Sequence, residues 1–236
     1  MPGDAATIAV EVLRVFCDEY GDHGNPLGVV LDGASLPGRA ARQELAYELG
    51  FSETVFVDGP AGAPADVAVQ IFTPTAELPL AGHPLVGTAW LLAQEGEAPA
   101  ALVPPAGRVE CAASEHHAEI VANPAAAPVW HLAQRPAPDD VNGLDPADFG
   151  PEAHDYVWAW LDEHAGLVRA RSFASGKGIR EDEATGSAAL VLCRELGRAI
   201  RIRQGRGSVI DATPEAGGLV RVRGRVVRDE RVSIDG

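Results

Sequence analysis

Residues 72–93 read FTPTAELPLAGHPLVGTAWLLA, and residues 173–196 read FASGKGIREDEATGSAALVLCREL. Each run leaves a strand at a phenylalanine and crosses a turn-rich loop holding acidic side chains. Each then reaches a glycine with a polar neighbour, Gly82-His83 in the first and Gly186-Ser187 in the second. An apolar helix follows at once in both. A unit that recurs in this way predicts two similar halves whose equivalent loops meet at the interface between them.

Outward from these helices the chain reads mostly as short strands. Ile8–Phe16 alternates and is rich in Val, Leu and Phe, and Leu27–Leu31 makes a second strand. RAARQELAYEL (39–49) has helical apolar spacing and stops at Gly50. Strands are expected at Glu53–Val57, at Val67–Phe72, and across Leu102–Val121 with a break at SEHH (114–117). Further strands are expected at Tyr156–Trp160, Leu167–Phe173, Ile200–Gln204, Ser208–Ala212, Leu219–Gly224 and Val226–Ile234. Residues 123–150 carry Pro124, Pro128, Pro136, Pro138 and Pro146 among Ala and Asp, and read as irregular connection. Strand meanders beside isolated helices make the fold class α+β rather than an alternating parallel sheet.

The 236 residues, 46% of them hydrophobic, suffice for one large domain or two small halves. With 34 acidic against 19 basic side chains, the net charge of −15 opposes binding to a nucleic-acid backbone or an anionic membrane surface. No run approaches the ~18 apolar residues of a membrane span, and MPGDAATIAVEVLRVF lacks a secretory pattern, so a cytoplasmic protein is expected. Cys17, Cys111 and Cys193 show no short spacing, which disfavours a disulfide framework and a structural zinc site.

Three groups could carry chemistry. The first N–H groups of a helix have no intrahelical partner and lie at the positive end of its dipole. Two such starts facing one another would clamp a carboxylate, with glycine letting it approach the backbone; an ordinary glycine turn with a polar cap looks the same in sequence. Glu181-Asp182-Glu183 stands just before Thr185-Gly186-Ser187. Asp182 therefore either caps helical N–H groups or holds an ammonium or hydroxyl of a ligand. Glu53 sits in FSETVF (51–56) with no Lys or Arg nearby, on the strand face of Phe51 and Val55. Burial there would raise its pKa and suit it to take and return protons near neutrality; a solvated strand-start glutamate is the plain alternative. HExxH, GxSxG, P-loop and strand-linked GxGxxG motifs are missing. His116-His117 reads as an exposed turn, and the arginines at 201, 203, 206, 221, 223 and 225 as a charged strand surface. Trp90, Trp130, Trp158 and Trp160 read as packing.

Together FCDEYGDHGNPLGVV (16–30), ELGFSETVFV (48–57), IFTPTAELPLAGHPLVGTAWLL (71–92), SFASGKGIREDEATGSAA (172–189) and RQGRGS (203–208) resemble the PhzF-like phenazine-biosynthesis family, which has the diaminopimelate-epimerase fold. The resemblance reaches from about residue 8 to the C-terminus and is poor over 123–165. It implies two pseudo-symmetric halves, 1–112 and 113–236, each a curved, mostly antiparallel sheet around a central helix. The second half would be shortened, and the last strand could return to the first. It implies a cofactor-independent isomerase, similar to trans-2,3-dihydro-3-hydroxyanthranilate isomerase, in secondary-metabolite biosynthesis. Glu53 would move the proton with His83 and Asp182 as catalytic partners. Gly82, Pro84, Thr185, Gly186 and Ser187 would surround a small carboxylate-bearing substrate. No metal or organic cofactor is implied, and a homodimer is. In related epimerases two cysteines act as acid and base; the cysteines here lie elsewhere, which disfavours that chemistry. Glu183 stands where the family often has proline and adds a charge beside Asp182. A ligand-binding relative without turnover, or an amino-acid racemase or epimerase, are the rival expectations.

Overall fold

The computed structural model describes residues 7–59 and 66–235. The chain begins with β1 (Thr7–Cys17), β2 (Asn25–Val30), α1 (Arg39–Leu49), β3 (Glu53–Val57) and β4 (Asp66–Phe72). It continues with the two-residue β5 (Glu77–Leu78), α2 (Gly82–Gln94), β6 (Ala101–Val103), β7 (Val109–Ala113) and β8 (His117–Ala122). Then come β9 (His131–Gln134), α3 (Pro138–Asn142), β10 (Asp155–Asp162), β11 (Leu167–Ala174), β12 (Ile179–Asp182) and α4 (Gly186–Leu196). β13 (Ile200–Gln204), β14 (Ser208–Pro214), β15 (Val220–Arg228) and β16 (Val232–Asp235) complete it. Helices α1 and α4 stop at Gly50 and Gly197, whose φ of 66° and 64° lie in the left-handed region where only glycine sits without strain.

The strand pairing repeats. β2–β3 is parallel, β3–β4 antiparallel, β4–β6 parallel, and β6–β7 and β7–β8 antiparallel. β9–β10, β10–β11, β11–β13, β13–β14 and β14–β15 follow the same sequence of senses. Short β5 and β12 are matching flaps on β4 and β11. α1 and α3 precede β3 and β10, and α2 and α4 precede β6 and β13. The fold is thus α+β with two pseudo-symmetric, mostly antiparallel halves.

The last strands of the two repeats, β8 and β15, pair antiparallel and join the halves into one sheet. β15 also pairs with β1, and β1 with β2, so the first half closes into a ring of eight strands. Helix α2 runs through that ring with eleven of its thirteen residues buried. A helix packed on all sides must be apolar on all sides, which is why PLVGTAWLLA carries no charge. The two repeats, β2–β8 and β9–β15, span equal lengths of chain, so the expected shortening of the second half is confined to single elements. Its α3 has 5 residues against 11 in α1, and among the described residues its sheet ends at β9. One core cluster runs through both halves, from Leu13 and Leu85 to Leu190 and Ile210.

Three expectations need correction. The run Leu102–Val121 breaks at 104–108 as well as at SEHH, because the chain turns there between β6 and β7, with the Gly107 amide donating to the Pro104 carbonyl. Residues 123–150 hold β9 and α3, elements of 4 and 5 residues that are too short to leave a periodic signal. The tail is not broken at Arg225. β15 runs unbroken from Val220 to Arg228, and the chain leaves the sheet at 229–231 instead. Gly224, which reads as a strand end, is where β15 passes the Phe16 ring; an added Cβ there would overlap it. Glycine inside a strand often marks such a close approach.

Candidate active site

The two repeated glycines meet. A Cβ built on Gly82 would lie 2.7 Å from both Cα and the carbonyl carbon of Gly186, and one on Gly186 would lie 2.9 Å from Gly82 Cα. The starts of α2 and α4 therefore touch backbone to backbone. Neither N-cap residue, Ala81 or Thr185, caps its helix with a side chain, and neither first turn contains an acid. Two sets of unpartnered N–H groups with the positive ends of their dipoles converge there. A small cavity opens beside this contact.

Glu53, His83 and Asp182 line that cavity, with Gly82, Thr185, Gly186 and Ser187. Glu53, the first residue of β3, is 7% exposed, and its Oε2 lies 3.2 Å from His83 Nε2. Neither atom completes a hydrogen bond, and both are buried. Burial first, then the neighbouring Asp182 charge, push the Glu53 carboxyl well above its ordinary range, against a smaller lowering by the Ser52 hydroxyl. Burial lowers His83 to about 3, so the imidazole is neutral at physiological pH. Glu53 and His83 are thus a polar contact rather than an ion pair. Burial also raises Asp182 to about 6, although the Thr185 and Asn25 hydrogen bonds hold it down. Two buried acids and a neutral histidine share one wall, and the acids titrate as a coupled pair. Asp182 has donors to hold its charge. The shared proton accordingly favours Glu53.

Asp182 is held from behind. Thr185 Oγ1 donates to its Oδ2 at 2.5 Å, and Asn25 Nδ2 to its Oδ1 at 2.6 Å. Gln204 Nε2 donates to Thr185 Oγ1 at 2.8 Å and to the Asp182 carbonyl at 2.9 Å. Its Oε1 accepts from Tyr156 OH and from the Thr185 amide. A buried network satisfied at each of these joints fixes one geometry. Sequence reasoning missed Asn25, which reads as part of the turn before Leu27, and Gln204 and Tyr156, which lie in ordinary-looking strands; only the fold brings the three together. Ser52 Oγ donates to Asn25 Oδ1 at 2.8 Å.

The poorly matched region 123–165 supplies the outer wall, with Pro128, Trp130 and His154. Trp130 stacks on His154 with ring centroids 3.8 Å apart, and its Nε1 donates to Ser187 Oγ at 3.2 Å. Trp130 is therefore part of the site and not only packing, a role its position before β9 did not advertise. Lys177, the one lysine of the chain, lies at the same cavity. Pro84 does not line it. It is buried in the first turn of α2, where proline offers no N–H to a ligand. Glu183 turns away from the cavity and accepts from the Arg206 amide and from Ser208 Oγ. Its charge is the smallest of the causes acting on Asp182.

Known proteins resemble this chain over its whole fold. A PhzC/PhzF-type phenazine biosynthesis protein of Clostridium difficile superposes with a TM-score of 0.75 over 96% of this chain and 99% of that one, at 18% identity. An uncharacterized isomerase of Mesorhizobium japonicum is 39% identical over 145 residues, which take in 56% of this chain and 46% of that protein. The trans-2,3-dihydro-3-hydroxyanthranilate isomerase of Pseudomonas aeruginosa is 32% identical over 78% of both proteins. The family model described as "Phenazine biosynthesis-like protein" matches residues 13–142, more than half of the chain. On that match and those relatives, the chain belongs to the PhzC-PhzF family of phenazine biosynthesis-like proteins, among relatives named isomerases.

Proposed function

We propose that this isomerase moves a proton between two carbons of a small carboxylate-bearing metabolite, without a cofactor, by general acid–base catalysis through Glu53. The observation that carries the reading is a buried carboxyl with a raised pKa, its Oε2 without a completed hydrogen bond, on the lining of a cavity beside two uncapped helix starts. The substrate carboxylate binds the N–H groups at Gly82-His83 and Gly186-Ser187, where the helix dipoles favour negative charge. An amino or hydroxyl group of the substrate reaches Asp182. A positive ammonium there lowers the proton affinity of the acid pair, so Glu53 can enter the reaction as carboxylate. It takes a proton from one carbon and returns it to another on the same face. One C–H bond breaks, one forms, and the double bonds shift while Glu53 ends as it began. Neutral His83 and the backbone N–H groups steady the negative charge that builds on the substrate.

Trans-2,3-dihydro-3-hydroxyanthranilate, the substrate named for the Pseudomonas aeruginosa relative, fits this description and is the first compound to test. Glu53→Gln should abolish its isomerisation, and with it solvent deuterium entry into its carbons, while the protein stays folded; turnover within threefold or so of the unaltered protein would contradict the mechanism, because acid–base groups contribute about 10²–10⁴-fold. A two-base epimerisation needs an acid on each face of the reacting carbon, and the second buried acid, Asp182, lies on the same wall as Glu53. The two-base reaction predicts inversion at the exchanging carbon, whereas transfer by Glu53 alone stays on one face.

A further inference from the structure

Asn25 opens β2, 2% exposed, with Pro26 restricting its backbone to extended values and Gly24 before it donating its amide to Ser208 Oγ at 3.0 Å. Its side chain lies between the halves. Nδ2 donates to Asp182 Oδ1 at 2.6 Å and to the Ala184 carbonyl at 2.9 Å, both from the second repeat, and lies 3.3 Å from His83 Nδ1 on α2. Oδ1 accepts from Ser52 next to Glu53. The two hydrogens of the amide serve Asp182 and Ala184 first, and the amide nitrogen cannot accept. A proton on His83 Nδ1 would therefore point at a donor. The imidazole proton belongs on Nε2, which faces Glu53 Oε2 at 3.2 Å.

We propose that Asn25 is a positioning residue for the proton transfer: wedged between Asp182 and His83, its amide holds the Asp182 carboxylate in place and sets the imidazole with its proton on the nitrogen opposite Glu53. This rests on the reading of Glu53 and Asp182 as the acids of the site. It gives Asn25 a role through its neighbours rather than through the substrate. The titratable groups that bear on it are Glu53 on β3, His83 on α2, Asp182 and Glu183 at the end of β12, and Tyr156 on β10. His154 and Lys177 stand across the cavity.

The test needs no substrate. In ¹³C- and ¹⁵N-labelled full-length protein, nitrogen–carbon correlation at neutral pH reads the His83 tautomer, and carboxyl shifts followed against pH read Asp182, assigned by its loss in Asp182→Asn. The expected results are a proton on His83 Nε2 in the unaltered protein, and an Asp182 midpoint higher by about one unit in Asn25→Ala, a tenfold gain in proton affinity once the charged form loses a donor. A proton on Nδ1, or an unmoved midpoint in a folded Asn25→Ala, overturns the proposal. Should that variant not fold, the tautomer in the unaltered protein decides alone. These readouts do not involve turnover, so a failure of Glu53→Gln to stop isomerisation would be seen separately.

Discussion

At Asp182 the cost of the site can be read directly. Its carboxyl is raised from 3.8 to about 6 in the fold. An acid whose folded pKa lies above its unfolded one adds stability below the unfolded value and loses it as pH rises through the folded value. The loss at Asp182 therefore falls between pH 3.8 and about 6 and amounts to about 3 kcal/mol at most. His83 works in the opposite sense. Held neutral down to about 3, it costs stability as pH falls below 6.5, because the unfolded chain then binds the proton first. A comparison with one variant reads the Asp182–Glu53 pair, because the Asp182 charge also raises Glu53. In urea unfolding, the stability of Asp182→Asn relative to the unaltered protein should improve by about 2–3 kcal/mol between about pH 4 and pH 8; a difference that does not vary with pH contradicts the raised pKa. Much of this wall was legible in sequence. Glu53, His83 and Asp182 stood out as acids and a histidine beside glycines and apolar runs. Asn25 and Gln204 did not, because a polar residue in a turn or a strand signals nothing until its partner, 157 residues away in the case of Asn25 and Asp182, is known.

The two central helices carry the site, and their contact is its tightest point. Gly82→Ala would drive a Cβ into the Gly186 backbone at 2.7 Å, and no flexible side chain is there to give way. Overpacking of this kind costs about 1–3 kcal/mol, and a displacement near 1 Å at a reacting centre costs about 10²-fold in rate. Gly82→Ala should therefore lower the unfolding midpoint moderately and kcat by about a hundredfold; unaltered kcat would show that the helix starts do not need this contact. The repeat of strand, acidic loop, glycine and apolar helix was visible because both helices are buried and so read as uninterrupted apolar runs. The elements of 123–165 were not. β9 and α3 span about one turn or less of pattern, and Trp130, which stacks on His154 and bonds Ser187, sits in the irregular stretch before β9.

At the scale of the molecule, β15 is the strand that makes one body of two repeats, since it pairs with β1, β8 and β14. The crossing is possible because Gly224 leaves room for Phe16, which takes a φ of 68° as β1 bends. Gly224→Val should cost more than 3 kcal/mol in reversible unfolding, above the usual range for overpacking, because the ring and two paired strands must all move; a cost under about 1 kcal/mol would mean that the joint is softer than its packing indicates. Among the described residues the first half closes and the second ends at β9, and Trp130, His154 and Lys177 line the cavity at the seam. In the proposed reaction Glu53 meets its substrate at that seam. A crystal structure of Glu53→Gln with trans-2,3-dihydro-3-hydroxyanthranilate tests it most directly. The expected result is the carboxylate on the backbone N–H groups at Gly186-Ser187 or Gly82-His83, with a ring carbon about 3–3.5 Å from the residue 53 side chain. A compound bound away from the seam, or with residue 53 out of reach of every ring carbon, would contradict it.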